Sequence, residues 1–417
     1  MSNSTGLLKN SAFLFAAMMI ANASNYLFQF FMGRALSVSD FGMMNALFSL
    51  LAITSVPAGT VQLVMAQYGA RLGAENEDRL WTLYLSALKW VSLCAVVGMA
   101  GFLLVSGKIA GFLNISSVTP VVLIGAALGV GLLAPVNLGM LQGLHRFGYV
   151  GGTTILGSVS KLGLGMLLVY VGWGVYGALA SLSLSSLGVL GLSAFALRAL
   201  CAPAKERRSG VSGREMFSYG LPAVGASLCF MALTNMDMVL VRHYFSPEEA
   251  GMYAAAGVLG RVVLYAPGAI VLALFPMMAR AHALNGNAFH LLDRGMLYAG
   301  GIAGAGAIGY ALFPELFLRL LFGGKYADAA PLLRLFGVAM VPLSLMAVLM
   351  HFNLAQRRIR FLYSMVAACL LEVGLIGVYH ANLHTIIWIL LGVGGALCGA
   401  NFGMIVWERM RNGKLPA

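Results

Sequence analysis

Apolar residues run along this chain in blocks of about twenty, one after another, with short polar stretches between them. A helix needs about 20 apolar residues to cross a hydrocarbon core. The pattern therefore predicts an all-α polytopic membrane protein of about twelve spans, at residues 11–32, 43–65, 81–104, 120–140, 150–170, 174–197, 216–241, 252–275, 290–312, 331–352, 361–379 and 385–407. The first block is too long for the apolar core of a signal peptide and reads as a retained first span.

The same pattern repeats at an offset near 209 residues, half the chain. Ser-Asp-Phe-Gly-Met at 39–43 answers Glu-Glu-Ala-Gly-Met at 248–252, and Ala70-Arg71 answers Ala279-Arg280. Pro57 and Gly59 return as Pro267 and Gly268 with a slip of one, Pro135 as Pro342, and Arg146 as Arg357. Six spans per copy is an even number, so both copies enter the membrane the same way round. Repeats of this kind place a substrate site between two lobes near the bilayer midplane, with transport by rocking of one lobe on the other. The predicted organisation is a six-helix lobe at 1–200, a polar linker at 201–214 containing Lys205, Glu206, Arg207 and Arg208, and a second six-helix lobe at 215–417.

Charge then orients the chain. With the N-terminus inside, 17 Lys and Arg fall in the cytoplasmic segments and 5 in the outer ones, which by the positive-inside rule puts both termini in the cytoplasm. A net charge of +12 would suggest nucleic acid in a soluble protein. Here 60% of residues are hydrophobic and 10% charged, and the basic residues sit in loops where insertion alone accounts for them. No nucleic-acid partner is expected. The five cysteines, Cys94, Cys201, Cys229, Cys369 and Cys398, lack ligand spacing and read as small apolar residues.

Ionisable side chains inside spans are costly and usually face a cavity or pair with one another. Six stand out: Lys89, Lys161, Asp237, Arg261, Arg334 and Glu372. Lys161 and Arg261 would either grip an anionic headgroup or, in the case of Arg261, pair with Asp237; both readings stay open. Lys89 and Arg334 lie near span ends and can snorkel to water. Glu372 reads as a proton or cation site, with Asp237, or as a cavity-lining group. Arg34 and Arg242 close the first and seventh spans in corresponding places and would guide an anionic substrate or anchor the interface. Prolines 57, 135, 222, 267, 276 and 342 predict bends. Gly148/Gly152, Gly300/Gly304 and Gly395/Gly399 have the spacing of close helix contacts. His380 and His384 lack a third ligand, and no phosphate loop, dinucleotide fingerprint or zinc motif occurs, so no metal or cofactor is expected.

Three segments resemble a known family. GRALSVSDFGMMNALFSL at 33–50, LQGLHRFGYVG at 141–151 and the long stretch from Thr234 to Ala283 are similar to polysaccharide flippases of the multidrug/oligosaccharidyl-lipid/polysaccharide (MOP) exporter superfamily. The resemblance implies a V-shaped fold of two six-helix bundles. It also implies movement of undecaprenyl-pyrophosphate-linked sugars across the bacterial inner membrane, with Lys161 and Arg261 in the place of cationic cavity residues. Membrane lipids, a polysaccharide polymerase and a chain-length regulator are the further partners it implies. Peptidoglycan-precursor flippases of the superfamily usually have fourteen spans against the twelve expected here. Drug antiporters generally keep an acid in a span, often the first, where this chain has Asn22, Ser24 and Asn25. A cation-coupled antiporter using Asp237 and Glu372 is the alternative. A membrane enzyme is disfavoured, because the longest outer segment, Pro314 to Ala330, offers just Glu315, Arg319, Lys325 and Asp328 as charged groups.

Overall fold

The structure is a computed structural model that describes residues 2–75, 77–200, 213–268, 270, 274, 277, 278, 289–356 and 358–412. The basic part of the expected linker at 201–212, Pro276, the Ala279-Arg280 match and Arg357 lie outside the described residues. Every regular element among those described is helical, and the chain divides after Leu221 into two compact units.

The first unit contains α1 (Ser2–Ala35), α2 (Val38–Thr54), α3 (Val56–Glu75), α4 (Glu77–Phe112), α5 (Thr119–Gly131), α6 (Ala134–Gly143), α7 (Phe147–Leu168) and α8 (Gly174–Leu200). A π-helical turn at Val169–Trp173 joins the last two, with Gly172 and Gly174 at φ of 98° and 52°. Those left-handed values favour glycine and let the chain reverse, so that α7 and α8 pack along each other. The division falls within α9 (Gly213–Leu233), and the second unit goes on with α10 (Met236–Tyr244), α11 (Pro247–Tyr265), α12 (Phe289–Leu312), α13 (Pro314–Leu321), α14 (Ala330–Ala355), α15 (Arg360–Val378) and α16 (Leu383–Asn412).

Among the described residues nine stretches are long and apolar enough to span, ten with the bent pair α2 and α3. One of the nine, Phe147–Arg198, is the α7–α8 hairpin and so holds two spans, and α11 supplies a further apolar helix. About twelve spans is therefore the architecture, as the apolar blocks predict.

Four blocks expected as unbroken helices are not. The block at 43–65 breaks at Ser55 with a bend of 40°, that at 120–140 breaks between Gly131 and Ala134, that at 216–241 breaks at Thr234–Asn235, and that at 252–275 turns at Ala266–Pro267 after its helix ends at Tyr265. In the first two, Pro57 and Pro135 occupy the first turn of the following helix, where a missing N–H costs no intrahelical bond. The third has no proline. There the Thr234 hydroxyl donates to the Phe230 carbonyl at 2.8 Å and the Asn235 amide to the Met231 carbonyl at 3.0 Å, so side chains compete for the helix's own acceptors.

Two helix starts lie earlier than expected because of caps. Ser246 and Glu249 form a reciprocal capping box that opens α11 at Pro247, and Ser37 accepts from the Asp40 N–H to open α2 at Val38. These caps stand 209 residues apart, so the repeat preserves them.

In lipid, helices gain little from leaving water, and close packing holds them together instead. Gly139 and Gly143 on α6 meet α3 backbone to backbone: a Cβ at Gly139 would stand 2.4 Å from the Gln62 carbonyl, and one at Gly143 would stand 2.6 Å from that of Ala66. The glycine spacings singled out in the sequence do not make such contacts. Nothing among the described residues comes within 4 Å of a Cβ built at Gly148, Gly152, Gly304, Gly395 or Gly399, and at Gly300 the nearest atom is an ordinary contact at 3.5 Å. Spacing alone says nothing about which face a neighbour occupies.

Candidate functional site

In the first unit, α1 buries Ala17, Ala21, Ser24, Phe28 and Met32 on one face. These are spaced three or four apart, which puts them in one row along the helix. That row seats on α7, where Gly151 and Gly165 leave room: a Cβ at Gly165 would stand 2.6 Å from the Phe28 ring. The close seating brings Lys161 of α7 to α1. Its ammonium donates to the Asn25 side-chain oxygen and lies 4.9 Å from the centre of the Phe28 ring, a cation–π contact. Both partners are neutral, so no counter-charge among the described residues cancels that of Lys161.

Lys161 also lines a cavity of about 200 Å³ formed where α2 gives way to α3 and α5 approaches α6. Ser55, Ser185 and Ser186 line it as well. Ser55 and Ser185 donate to the carbonyls of Ala52 and Leu182, at 3.1 and 3.0 Å, and so present acceptors to the cavity. One cation and a set of hydroxyls in a small cleft suit an anion that also carries hydroxyls or water.

In the second unit the buried charges face each other. Asp237, 1% exposed, sits in the first turn of α10 just past the break at Thr234–Asn235. It accepts from the Tyr253 hydroxyl at 2.9 Å and from the Arg261 guanidinium at 3.2 Å. Arg261 spends its Nε–H on the Thr234 carbonyl at 2.9 Å, one of the groups freed by the break. The pairing of Asp237 with Arg261 that the sequence left open is thus present. It ties α11 across the broken α9–α10 span.

Glu372 of α15 is 2% exposed and interacts electrostatically with Asp237. Its Oε1 has no hydrogen-bond partner among the described residues. The second unit also holds a cavity of about 310 Å³ between α9, α11 and α14, lined by Phe230, Met231, Leu264, Pro267, Met350 and His351 among others. It is more apolar than that of the first unit, and none of these charged residues lines it.

The remaining expected residues separate. Arg34, in the last turn of α1, is exposed, whereas Arg242, in the last turn of α10, is 4% exposed. Both stand where a cation meets a helix C-terminus favourably. Lys89 and Arg334 are exposed. No group of three or more His, Cys, Asp or Glu able to hold a metal occurs among the described residues. Sequence reasoning passed over Asn25, Phe28 and Tyr253 as partners, because neutral and aromatic side chains in a span carry no signal until a charge is seen beside them.

The fold is shared with solved transporters. A multidrug resistance MATE family transporter of the MOP superfamily matches at a TM-score of 0.78 and 16% identity, over 96% of this chain and 98% of that one. The lipid II flippase MurJ matches at 0.73 and 11% identity, over 96% and 87%. The MATE multidrug transporter DinF-BH, solved in complex with R6G, matches at 0.64 and 17% identity, over 97% and 95%. No curated protein matches. The family described as "Polysaccharide biosynthesis protein" matches residues 31–331. With that family covering most of the chain, the protein belongs to the polysaccharide biosynthesis protein family, on a fold it shares with MATE transporters and MurJ.

Proposed function

We propose that this protein is a flippase that carries undecaprenyl-pyrophosphate-linked oligosaccharide repeat units across the bacterial inner membrane by alternating access, with both termini in the cytoplasm. The observation that carries the reading is the unneutralised charge in the first unit: Lys161 is held by an amide and a ring, beside a cleft of hydroxyls. A pyrophosphate needs a cation that is not already spent, and in the second unit Arg261 is spent on Asp237. The 17 to 5 excess of basic residues supports the orientation. Within the second unit, Arg358 pairs with Glu408 and Arg409 with Asp293, which gathers residues assigned to the inner side onto one face.

The antiporter reading asks for both Asp237 and Glu372 to bind a cation. Asp237 is satisfied by two donors and serves the broken span, which leaves Glu372 alone, and in a flippase ion coupling falls to Glu372, with Asp237 as its electrostatic neighbour. Deletion of the gene tests the proposal. The expected result is loss of surface polysaccharide with lipid-linked repeat units accumulating in the cells, restored by the wild-type chain and not by Lys161→Met. A deletion strain with normal surface polysaccharide and no accumulated lipid-linked sugar would overturn it.

A further inference from the structure

Three carboxamides, Asn22, Asn25 and Gln29, recur at i, i+3 and i+7 along α1. That spacing aligns them in one stripe. The stripe borders the row that seats on α7. It is separate from Met19, Ala23 and Leu27, an exposed apolar row that suits lipid, and toward the N-terminus it gives way to the exposed Met18 and Phe15. Asn22 and Asn25 are exposed on the surface of the first unit, in the middle of a membrane span. The Gln29 Oε1 is buried with no hydrogen-bond partner among the described residues. A membrane helix does not gain by turning amides to acyl chains, since each would lose its hydrogen bonds there. Such a stripe fits a path that holds water or a polar ligand.

We propose that Asn22, Asn25 and Gln29 form a saccharide subsite that continues directly from the Lys161 anion site. The proposal rests on the flippase reading and assigns the two parts of its substrate to two adjoining places. A carboxamide has two donors and an acceptor on one planar group. A sugar ring offers hydroxyls that donate and accept alternately, so it satisfies such groups where an acyl chain or a phosphate alone does not. Asn25 joins the two places, because its oxygen holds the Lys161 ammonium while its NH₂ group keeps its donors. The stripe belongs to one copy of the repeat. At the 209-residue offset its counterparts are Met231, Thr234 and Met238, two of them apolar and the third bonded to its own helix. Sugar recognition is thereby placed on the first unit.

The test offers the detergent-solubilised full-length protein two probes, bare undecaprenyl pyrophosphate and the lipid-linked saccharides extracted from the cells that make the protein. Retained lipid is measured by mass spectrometry. Wild type is expected to retain the saccharide-bearing lipid in preference to the bare one. Asn22→Leu and Gln29→Leu are each expected to lower that preference by roughly three- to ten-fold, the size of one lost hydrogen bond, with bare-lipid binding unchanged. Leu27→Ala, on the lipid-facing row, is the control for folding and leaves both probes unaffected. Equal retention of both probes by wild type, or amide variants that lower both probes alike or neither, overturns the subsite. Full retention of the bare lipid by Lys161→Met overturns the anion site and with it the underlying functional reading, a separate result.

Discussion

The two units treat their buried cations in opposite ways. In the first, Lys161 meets an amide oxygen and an aromatic face, so its charge remains available to the cleft it lines. In the second, Arg261 is locked by a carboxylate and a backbone carbonyl, and the charged group whose buried oxygen lacks a hydrogen-bond partner among the described residues is an acid, Glu372. The repeat sharpens the contrast. The counterpart of Lys161 at the 209-residue offset is Leu370, two residues before Glu372, and that of Phe28 is Asp237. Two copies of one helical scaffold thus carry opposite charge at neighbouring positions. The lesson is that a buried charge in a span is not by itself a substrate contact: its partner decides whether it recognises a ligand or holds the fold.

This contrast breaks or survives on three measurements of thermal stability in detergent. The largest effect is expected for Asp237→Ala. It leaves Arg261 buried without its counter-charge and should cost about 3–5 kcal/mol, while the double variant with Arg261→Met recovers most of the loss. An Asp237→Ala protein that melts like wild type would show the pair to be dispensable and remove the distinction between the units. Tyr253→Phe comes next. Removing a hydroxyl that donates to a buried carboxylate should cost about 1.5–3 kcal/mol, seen as a lower melting temperature with the fold retained. The smallest change is expected for Lys161→Met, within about 1 kcal/mol, because a cation paired with neutral groups gains little over an apolar chain of similar length. Were Lys161→Met as damaging as Asp237→Ala, Lys161 would be a structural residue.

Much of this architecture is legible from the chain alone. The spans follow from apolar blocks of about twenty residues, since lipid tolerates little else. The capped starts at Ser37 and Ser246 are visible in the Ser-x-x-Asp and Ser-x-x-Glu patterns. The breaks at Ser55 and before Pro135 are partly legible, because a proline two residues into a helix marks its beginning. The break at Thr234–Asn235 is not, since Thr and Asn side chains choose between their own backbone and a distant partner only once the fold is in place.

The candidate site divides in the same way. That Lys161, Asp237, Arg261 and Glu372 matter is plain from their types and their depth in apolar blocks. Composition and the apolar blocks alone decide that the chain is a bundle of membrane helices, because the cost of polar groups in hydrocarbon acts on each residue wherever its neighbours lie. Tertiary structure alone decides that Lys161 meets the neutral Asn25 while Arg261 is cancelled by Asp237. A buried ion's role depends on which groups stand within a few ångströms, and those come from other helices, 136 residues away for Lys161 and 24 for Arg261.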